Sequence, residues 1–268
     1  MGACERCRGT GFEIVERDGR EFAVPCDCRA PRAAGSDEFV RRCRIPARYE
    51  LCELANFDPW TPSHSAALEK AMTYCTEYPH VGRDEGLGLL LTGANGVGKT
   101  HLAVAVLREL VMTKGASGQF WDFHELIREI RNSYNEETRT TEMQVLAPVI
   151  DTSVLLLDDL GAWRMTDWMV DTLFNIVNQR YLAKRATLIT TNFPDVSLEE
   201  AHADRSNRRT EYLVERIGNS TRSRLMEMCL VVQLDGPDFR QFRQKPGGGA
   251  PPRGPVGPGG RTLPRFGG

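Results

Sequence analysis

The sequence lacks both an apolar run that could cross a bilayer and an apolar leader for secretion. Apolar stretches such as residues 154–157 are far too short, because a transmembrane helix needs about 20 apolar residues. Charged residues stand where a signal peptide has its apolar segment; they are Glu5, Arg6 and Arg8. These absences predict no membrane span and no export, and we expect a cytoplasmic protein.

A strong charge of either sign is also absent. The 268 residues carry 34 Lys and Arg against 36 Asp and Glu, which gives a formal net charge of −2. This balance excludes a basic field over the whole molecule, so any nucleic-acid contact must come from a local patch. With 41% hydrophobic and 26% charged residues, the length predicts one main domain and a small accessory segment.

The chain divides into four segments by composition and periodicity. Residues 1–28 hold two cysteine pairs, residues 29–62 form a basic linker with short helical pieces, residues 63–245 alternate strands with helices, and residues 246–268 contain nine Gly and six Pro. The last composition cannot bury apolar surface, which predicts a disordered tail. The alternation predicts an α/β domain with a largely parallel sheet flanked by helices. Its predicted elements are helix 63–78, strand 87–92, helix 100–112, strand 119–123, helix 125–134, strand 154–157, helix 167–182, strand 187–191 and strand 229–234.

A glycine-rich loop lies between an apolar strand and a predicted helix. Residues 93–100 have the pattern G-x-x-x-x-G-K-T, which is the P-loop in the context that the motif requires. The backbone N–H groups of such a loop and the following helix N-terminus face bound phosphates. Lys99 would reach the β- and γ-phosphates, and Thr100 would offer its hydroxyl to Mg²⁺. The predicted nucleotide-binding residues of this region are Gly93, Ala94, Asn95, Gly96, Val97, Gly98, Lys99, Thr100 and His101.

A second buried strand ends in two carboxylates, Asp158 and Asp159. We expect Asp158 to hold Mg²⁺, directly or through water. We expect Asp159 to polarise the water that attacks the γ-phosphate, because in-line hydrolysis needs an acceptor beside the nucleophile. Asn192 follows the next apolar strand and could orient that water or touch the γ-phosphate. The alternative for the two carboxylates is a helix cap, and Asn192 is also a common turn residue.

Four of the eight cysteines are paired in sequence, as Cys4-x-x-Cys7 and Cys26-x-Cys28. They bracket two strand-like segments, 12–17 and 21–24, joined by an Asp-Gly turn, and this pattern predicts a hairpin. In a reducing cytosol such pairs favour a closed tetrahedral thiolate site for structural Zn²⁺. Iron–sulfur ligation and unliganded cysteines stay open as alternatives. The other cysteines are expected to be small core residues; they are Cys43, Cys52, Cys75 and Cys229.

Together these motifs resemble the DnaC/IstB-like branch of the AAA+ ATPases, and within it the bacterial replicative helicase loaders that carry an N-terminal cysteine cluster. The resemblance extends from Cys4 to about Arg240 and rests on separate strings of sequence. These strings are residues 93–100, 155–161, 171–174 leading to 179–181, 188–192, 215–225 and 234–240.

The resemblance implies a P-loop ATPase that uses ATP and Mg²⁺, self-associates through its nucleotide interfaces, and places a replicative DNA helicase on single-stranded DNA. In such loaders the N-terminal module contacts the helicase, so residues 1–62 are expected to do so here. An arginine of one subunit completes the neighbouring site, and by motif position Arg224 is the candidate, with Arg216 and Arg222 as rivals. Only 34 residues follow Leu234, too few for a C-terminal helical lid, so we expect an open site that depends on neighbouring subunits.

Two other functions compete with the loader. An IstB-type transposition helper shares the nucleotide motifs, but the cysteine module argues against it. A zinc-dependent nucleic-acid-binding adaptor with a relic nucleotide site is the alternative from another class, and the intact Lys99, Thr100, Asp158 and Asp159 argue against it. A P-loop small-molecule kinase is disfavoured because no arginine-rich lid insertion is visible.

Overall fold

The computed structural model describes Arg6 and residues 12–17, 20–25, 42–81, 84–85, 87–134, 141–203 and 211–243. Near the N-terminus, β1 (Phe12–Arg17) and β2 (Arg20–Pro25) form an antiparallel hairpin in which Phe12 is opposite Pro25. The predicted hairpin is therefore confirmed. Two short strands, β3 (His80–Val81) and β4 (Asp84–Glu85), form a second antiparallel pair.

Five parallel strands form the central sheet. They are β5 (Gly88–Gly93), β6 (Gly118–Asp122), β7 (Val154–Asp158), β8 (Ala186–Thr191) and β9 (Cys229–Leu234). Their spatial order is β6-β7-β8-β5-β9, and all neighbouring pairs are parallel. The side chains of β7 and β8 are buried along their whole length, as is typical of parallel strands covered on both faces. The predicted parallel α/β sheet is confirmed.

Helices cover both faces of this sheet. They are α1 (Pro62–Glu77), α2 (Lys99–Lys114), α3 (Phe123–Asn132), α4 (Glu142–Asp151), α5 (Asp167–Leu182), α6 (Leu198–Ala203), α7 (Leu213–Ile217), α8 (Asn219–Met228) and α9 (Arg240–Arg243). Short 3-10 turns at Ala47–Tyr49 and Leu54–Asn56 precede them. Of the helices in the described ranges, none combines the length and the apolarity needed to cross a membrane.

Alternate residues of the strands face two separate cores. Leu89 and Leu91 of β5 pack in one core with α1 and α2, whereas Leu90 packs in the other with α3, α4, α5 and α8. Residues before α1 also belong to the first core, where Ile45 and Phe57 are buried. The four cysteines outside the two N-terminal motifs are buried as predicted; they are Cys43, Cys52, Cys75 and Cys229.

Several helices differ from the sequence expectation, and α6, α7, α8 and α9 are absent from the predicted elements. The third helix begins at Phe123 and not at residue 125, because Asp122 ends β6 and also caps the helix by accepting the Glu125 N–H at 3.0 Å. Helix α4 is absent from the predicted elements. It contains Pro148, a residue that normally argues against a helix interior, and it begins with a capping box between Thr141 and Gln144.

A fully buried arginine joins α4, α5 and β8. Arg180 of α5 donates to the carbonyl oxygens of Val149, Ile150 and Thr152 at 2.8–2.9 Å, where α4 ends. It also donates to the carbonyl oxygen of Ala186 at 2.5 Å and to the Thr187 hydroxyl at 3.0 Å. Burial lowers the pKa of this guanidinium to about 9, yet five acceptors compensate the buried donors. Arg180 is therefore a structural residue whose hydrogen bonds hold the start of β8 and the end of α4 next to α5.

We predict that Arg180→Ala lowers the free energy of unfolding by more than about 3 kcal/mol, because it leaves buried carbonyl oxygens without their donors. Arg185→Ala is the matched control, since Arg185 is partly exposed and pairs with the exposed Asp151. Its loss is expected to cost less than about 1 kcal/mol. Urea denaturation measures both variants, and equal midpoints would contradict the role of Arg180.

Candidate functional site

The phosphate-binding loop, residues 93–100, connects β5 directly to α2 at the carboxyl edge of the sheet. Gly98 caps α2 with a φ of +97°, a conformation that side chains rarely adopt. The ring of Phe57 lies 3.1 Å from the position that a Cβ on Gly98 would take. A residue other than glycine would therefore be both strained and crowded at this position.

The ammonium group of Lys99 is turned back onto the loop. Its Nζ donates to the carbonyl oxygens of Gly93 at 2.9 Å and Ala94 at 2.7 Å, and to Oδ1 of Asn192 at 2.6 Å. The side chain is 7% exposed, and burial lowers the pKa of Lys99 to about 8 although Asp159 and Asp158 act in the opposite direction. All three acceptors are uncharged, so a phosphate anion beside Nζ would offset the cost of burying this cation.

Asp158 ends β7, and one of its carboxylate oxygens accepts hydrogen bonds from two hydroxyl groups. Thr100 Oγ1 donates to Asp158 Oδ1 at 2.9 Å, and Thr190 Oγ1 donates to the same oxygen at 2.6 Å. Burial raises the pKa of Asp158, while these two hydrogen bonds lower it and Asp159 raises it further. A hydroxyl oxygen and a carboxylate side by side are the hard donors that Mg²⁺ prefers. Thr100 and Asp158 therefore fit the predicted magnesium site.

A hydrogen-bonded chain links the second carboxylate to the lysine. Asn192 Nδ2 donates to Asp159 Oδ1 at 2.8 Å while Asn192 Oδ1 accepts from Lys99. The structure thus brings together the residues that the sequence placed at three separate strand ends. They are Lys99, Thr100, Asp158, Asp159 and Asn192. The side chain of His101 is directed elsewhere, with its Nε2 2.9 Å from Asn56 Oδ1.

A C-terminal strap, residues 235–240, lies against the phosphate-binding loop. The N–H of Phe239 donates to the Gly96 carbonyl oxygen at 3.1 Å, and a Cβ on Gly96 would collide with the Asp238 carboxylate. The Phe239 ring packs edge-on against Trp60, with centroids 4.8 Å apart, and beside His64 at 5.2 Å. The strap therefore covers one side of the loop.

The same strap is tied to the start of α1. The hydroxyl groups of Thr61 and Ser63 donate to the Asp235 carbonyl oxygen at 2.8 and 3.0 Å. His64 is fully buried beside them, and burial lowers its pKa although Asp235 and Asp58 raise it. The chain before α1, the phosphate-binding loop and the strap thus meet in one aromatic cluster.

Sequence reasoning missed the strap contacts and Thr190. The string 234–240 was noted only as part of the resemblance, because nothing in it shows helix or strand periodicity. Thr190 stands in a buried strand that also contains Thr187 and Thr191, and these threonines were the available signal, since a buried hydroxyl needs a partner.

The three candidate arginines have different partners. Arg224 Nε donates to Asn178 Oδ1 at 2.8 Å, and its guanidinium lies 4.6 Å from the Phe174 ring centroid. Arg222 pairs with both oxygens of Asp195 at 2.6 and 3.0 Å. Arg216 lies 4.7 Å from the Phe193 ring centroid and pairs with Glu211.

The predicted zinc ligands, Cys4, Cys7, Cys26 and Cys28, lie outside the described residues. Within the described ranges, no group of three or more His, Cys, Asp or Glu side chains is arranged to hold a metal ion. The hairpin places Phe12 opposite Pro25, so its first and last residues lie side by side.

We predict that Lys99→Ala weakens ATP binding about 100-fold or more, because the phosphates lose a buried charged donor. Lys70→Ala is the matched control. Lys70 lies in α1 and donates to the carbonyl oxygen of Val231 in the middle of β9 at 3.4 Å, so its loss leaves the phosphate-binding loop unchanged. Isothermal titration calorimetry measures both affinities. An unchanged affinity in Lys99→Ala would refute the assignment of the phosphate site.

Comparison with known proteins gives concordant results. Residues 78–245 match the family described as IstB-like ATP binding protein. The replicative helicase loader DnaI of Bacillus subtilis is 29% identical over 204 residues, which is 75% of this chain and 61% of that protein. The replicative helicase loader DnaC of Escherichia coli is 24% identical over 186 residues, covering 68% of this chain and 73% of the relative.

A solved structure agrees with these sequence matches. The crystal structure of the DnaC helicase loader superposes on this chain with a TM-score of 0.59 and 30% sequence identity. The match covers 70% of this chain and 99% of that one. The family match spans more than half of the 268 residues. The chain therefore belongs to the IstB-like ATP binding protein family of AAA+ ATPases and is a homologue of the DnaI and DnaC helicase loaders.

Proposed function

We propose that this chain is an ATP-hydrolysing loader that binds a replicative DNA helicase in the cytoplasm and helps to place it on single-stranded DNA. The observation that carries the proposal is the intact chain Lys99–Asn192–Asp159 beside Asp158, found in a homologue of two helicase loaders. These buried polar groups are hydrogen-bonded to one another, which fixes their positions, and such an ordered arrangement favours a working nucleotide site over a relic.

Each residue of this constellation has a proposed role in hydrolysis. Lys99 binds the β- and γ-phosphates of ATP, and Thr100 and Asp158 hold Mg²⁺. Asp159 accepts the proton of the attacking water, and Asn192 orients that water or the γ-phosphate. The hydrogen bond from the Asn192 amide to Asp159 supports these two roles, because it holds in place the carboxylate that would accept the proton.

The N-terminal module is the proposed helicase-binding part. We propose that the four cysteines hold one Zn²⁺, which would fold a segment too short to bury a core. The hairpin register supports this proposal, since Phe12 and Pro25 are opposite each other and the two cysteine pairs precede and follow them in the sequence. Together with the basic segment 29–62, this module is the proposed contact surface for the helicase, a feature that the transposition-helper alternative does not require.

We predict that Cys26→Ser protein loses capture of the purified replicative helicase of the same organism but keeps its affinity for ATP. The reason is that three thiolates leave an open and weaker zinc site. Cys75→Ser is the control, because Cys75 is buried in α1 and lies outside the proposed helicase-binding residues 1–62. Elemental analysis should find about one zinc per chain in the wild type and the control, and less in Cys26→Ser.

Other outcomes of this experiment distinguish the alternatives. Metal-free protein that still captures the helicase would show that the cysteines are incidental. Recovery of a transposase instead of a helicase in a pull-down with the full chain would favour the IstB-type helper. A chain that binds single-stranded DNA without hydrolysing ATP would favour the adaptor.

We propose that Arg224 acts in trans on the nucleotide of a neighbouring subunit, with Arg222 and Arg216 as rivals. The neutral partner of Arg224, Asn178, supports this order. Arg222 would have to break a bidentate, half-buried pair with Asp195, which costs more than releasing an amide.

We predict that Arg224→Ala protein binds ATP normally but hydrolyses it more than about tenfold slower when assembled, because the transition-state charge loses its in-trans arginine. Mixing it with Lys99→Ala protein should restore part of the activity, since some interfaces then pair an intact site with an intact arginine. No rescue at any ratio would count against the in-trans role. A larger defect in Arg222→Ala or Arg216→Ala would move the role to that residue.

The DNA contact is proposed to be intrinsic to the ATPase domain. The Trp163 ring is 58% exposed and stacks on His124 with centroids 4.3 Å apart. Just after α3, the exposed Tyr134 packs edge-on against Trp168, and Arg131 lies 5.6 Å from the Trp168 ring centroid. Single-stranded bases stack on exposed aromatic rings, and a nearby arginine strengthens such a site.

We predict that Trp163→Ala weakens binding to oligothymidine about tenfold, because base stacking on an aromatic ring is lost. Leu182→Ala is the control, since Leu182 is an exposed apolar residue at the opposite end of α5. Fluorescence anisotropy at one fixed salt concentration measures both variants. Equal affinities would place the DNA contact elsewhere.

A further inference from the structure

Thr190 lies where the two acidic residues of the site leave the sheet. In the ladder between β7 and β8, Leu157 is opposite Ile189, so the next residue of β8 stands beside Asp158. Thr190 is 1% exposed. Its hydroxyl donates to Asp158 Oδ1 at 2.6 Å and accepts the Asp159 N–H at 2.9 Å. One hydroxyl therefore contacts the side chain of one aspartate and the backbone of the next.

The backbone around Asp159 needs this support. Asp159 has a φ of +58°, a left-handed conformation that is uncommon for residues other than glycine. Two further bonds hold the same turn: the Leu160 N–H donates to the Thr190 carbonyl oxygen, and Thr191 Oγ1 donates to the Leu160 carbonyl oxygen, both at 2.8 Å. Strand β8 thus holds the turn that carries both carboxylates.

From this geometry we infer that Thr190 is a positioning residue that sets the orientation of Asp158 toward the metal and of Asp159 toward the attacking water. It does so without touching the nucleotide. Both hydroxyl groups donate to Oδ1 of Asp158, so Oδ2 would be the oxygen that holds Mg²⁺ when the metal is bound. The inference rests on the proposed hydrolysis of ATP and adds a residue that controls how efficiently the bound nucleotide reacts.

Three variants test this inference. Thr190→Val keeps the shape of the side chain and removes both hydrogen bonds, whereas Thr190→Ser keeps a hydroxyl. Thr187→Val is the matched control, because Thr187 is a buried threonine of the same strand whose hydroxyl accepts from Arg180 and touches no carboxylate. Each variant is purified as the full chain, and its melting temperature is measured to confirm that it is folded.

We expect Thr190→Val to lower kcat about tenfold to a hundredfold, because a small misplacement of reacting groups has effects of that size. The KM for ATP should change less than about threefold, since Lys99 and the loop are untouched. The Mg²⁺ concentration that half-saturates ATP binding should rise severalfold. Thr190→Ser should recover most of both losses, and Thr187→Val should melt at a lower temperature with kcat and the Mg²⁺ dependence of the wild type.

Two results would overturn the positioning role. The first is a Thr190→Val protein with kcat and Mg²⁺ dependence within twofold of the wild type. The second is a Thr190→Ser protein as defective as Thr190→Val, which would assign the effect to packing. A wild type without turnover would refute the proposed function instead. The Mg²⁺ dependence of ATP binding would then decide the inference, and an unshifted value in Thr190→Val would reject it.

Discussion

The parallel register of three buried strands determines every distance in the nucleotide site. Thr92 of β5 is opposite Thr191 of β8, and Leu157 of β7 is opposite Ile189. The strands therefore end at the same height, and the residues that follow them meet. A shift of one residue would turn each side chain to the other face of the sheet. Because the strands are covered by two cores, such a shift would exchange the apolar side chains of the two cores and move the polar residues at the strand ends out of register.

Much of this arrangement could be predicted from the sequence because strong local signals coincide with it. Helix α5 and strand β9 have the predicted bounds, and the phosphate-binding loop lies where its motif requires. Parallel strands ending in Asp158 and Asn192 were sufficient to predict that these side chains meet near Lys99. Periodicity and motif spacing carry this information without knowledge of tertiary contacts.

The features that escaped prediction depend on contacts between distant parts of the chain. Helix α4 contains Pro148, whose local propensity opposes a helix. Arg180 from α5 nevertheless donates hydrogen bonds to the carbonyl oxygens at the end of this helix. Thr190 resembles any β-branched strand residue until β7 lies beside it. The strap has no periodicity, and its conformation follows from the loop and the aromatic rings that it contacts. Tertiary hydrogen bonds decided each of these cases.

The strap makes ATP affinity and the docking of the C-terminal residues thermodynamically linked. The Gly96 carbonyl oxygen belongs to the phosphate-binding loop and also accepts the Phe239 N–H, while the strap is tied to the chain before α1. A partner that binds preferentially when the strap is displaced changes the affinity for ATP, and ATP changes the affinity for that partner by the same factor. For the same reason, substitutions in the loop and in the strap should have non-additive effects on stability. The chain before α1, the strap and the phosphate-binding loop are thus expected to be energetically coupled.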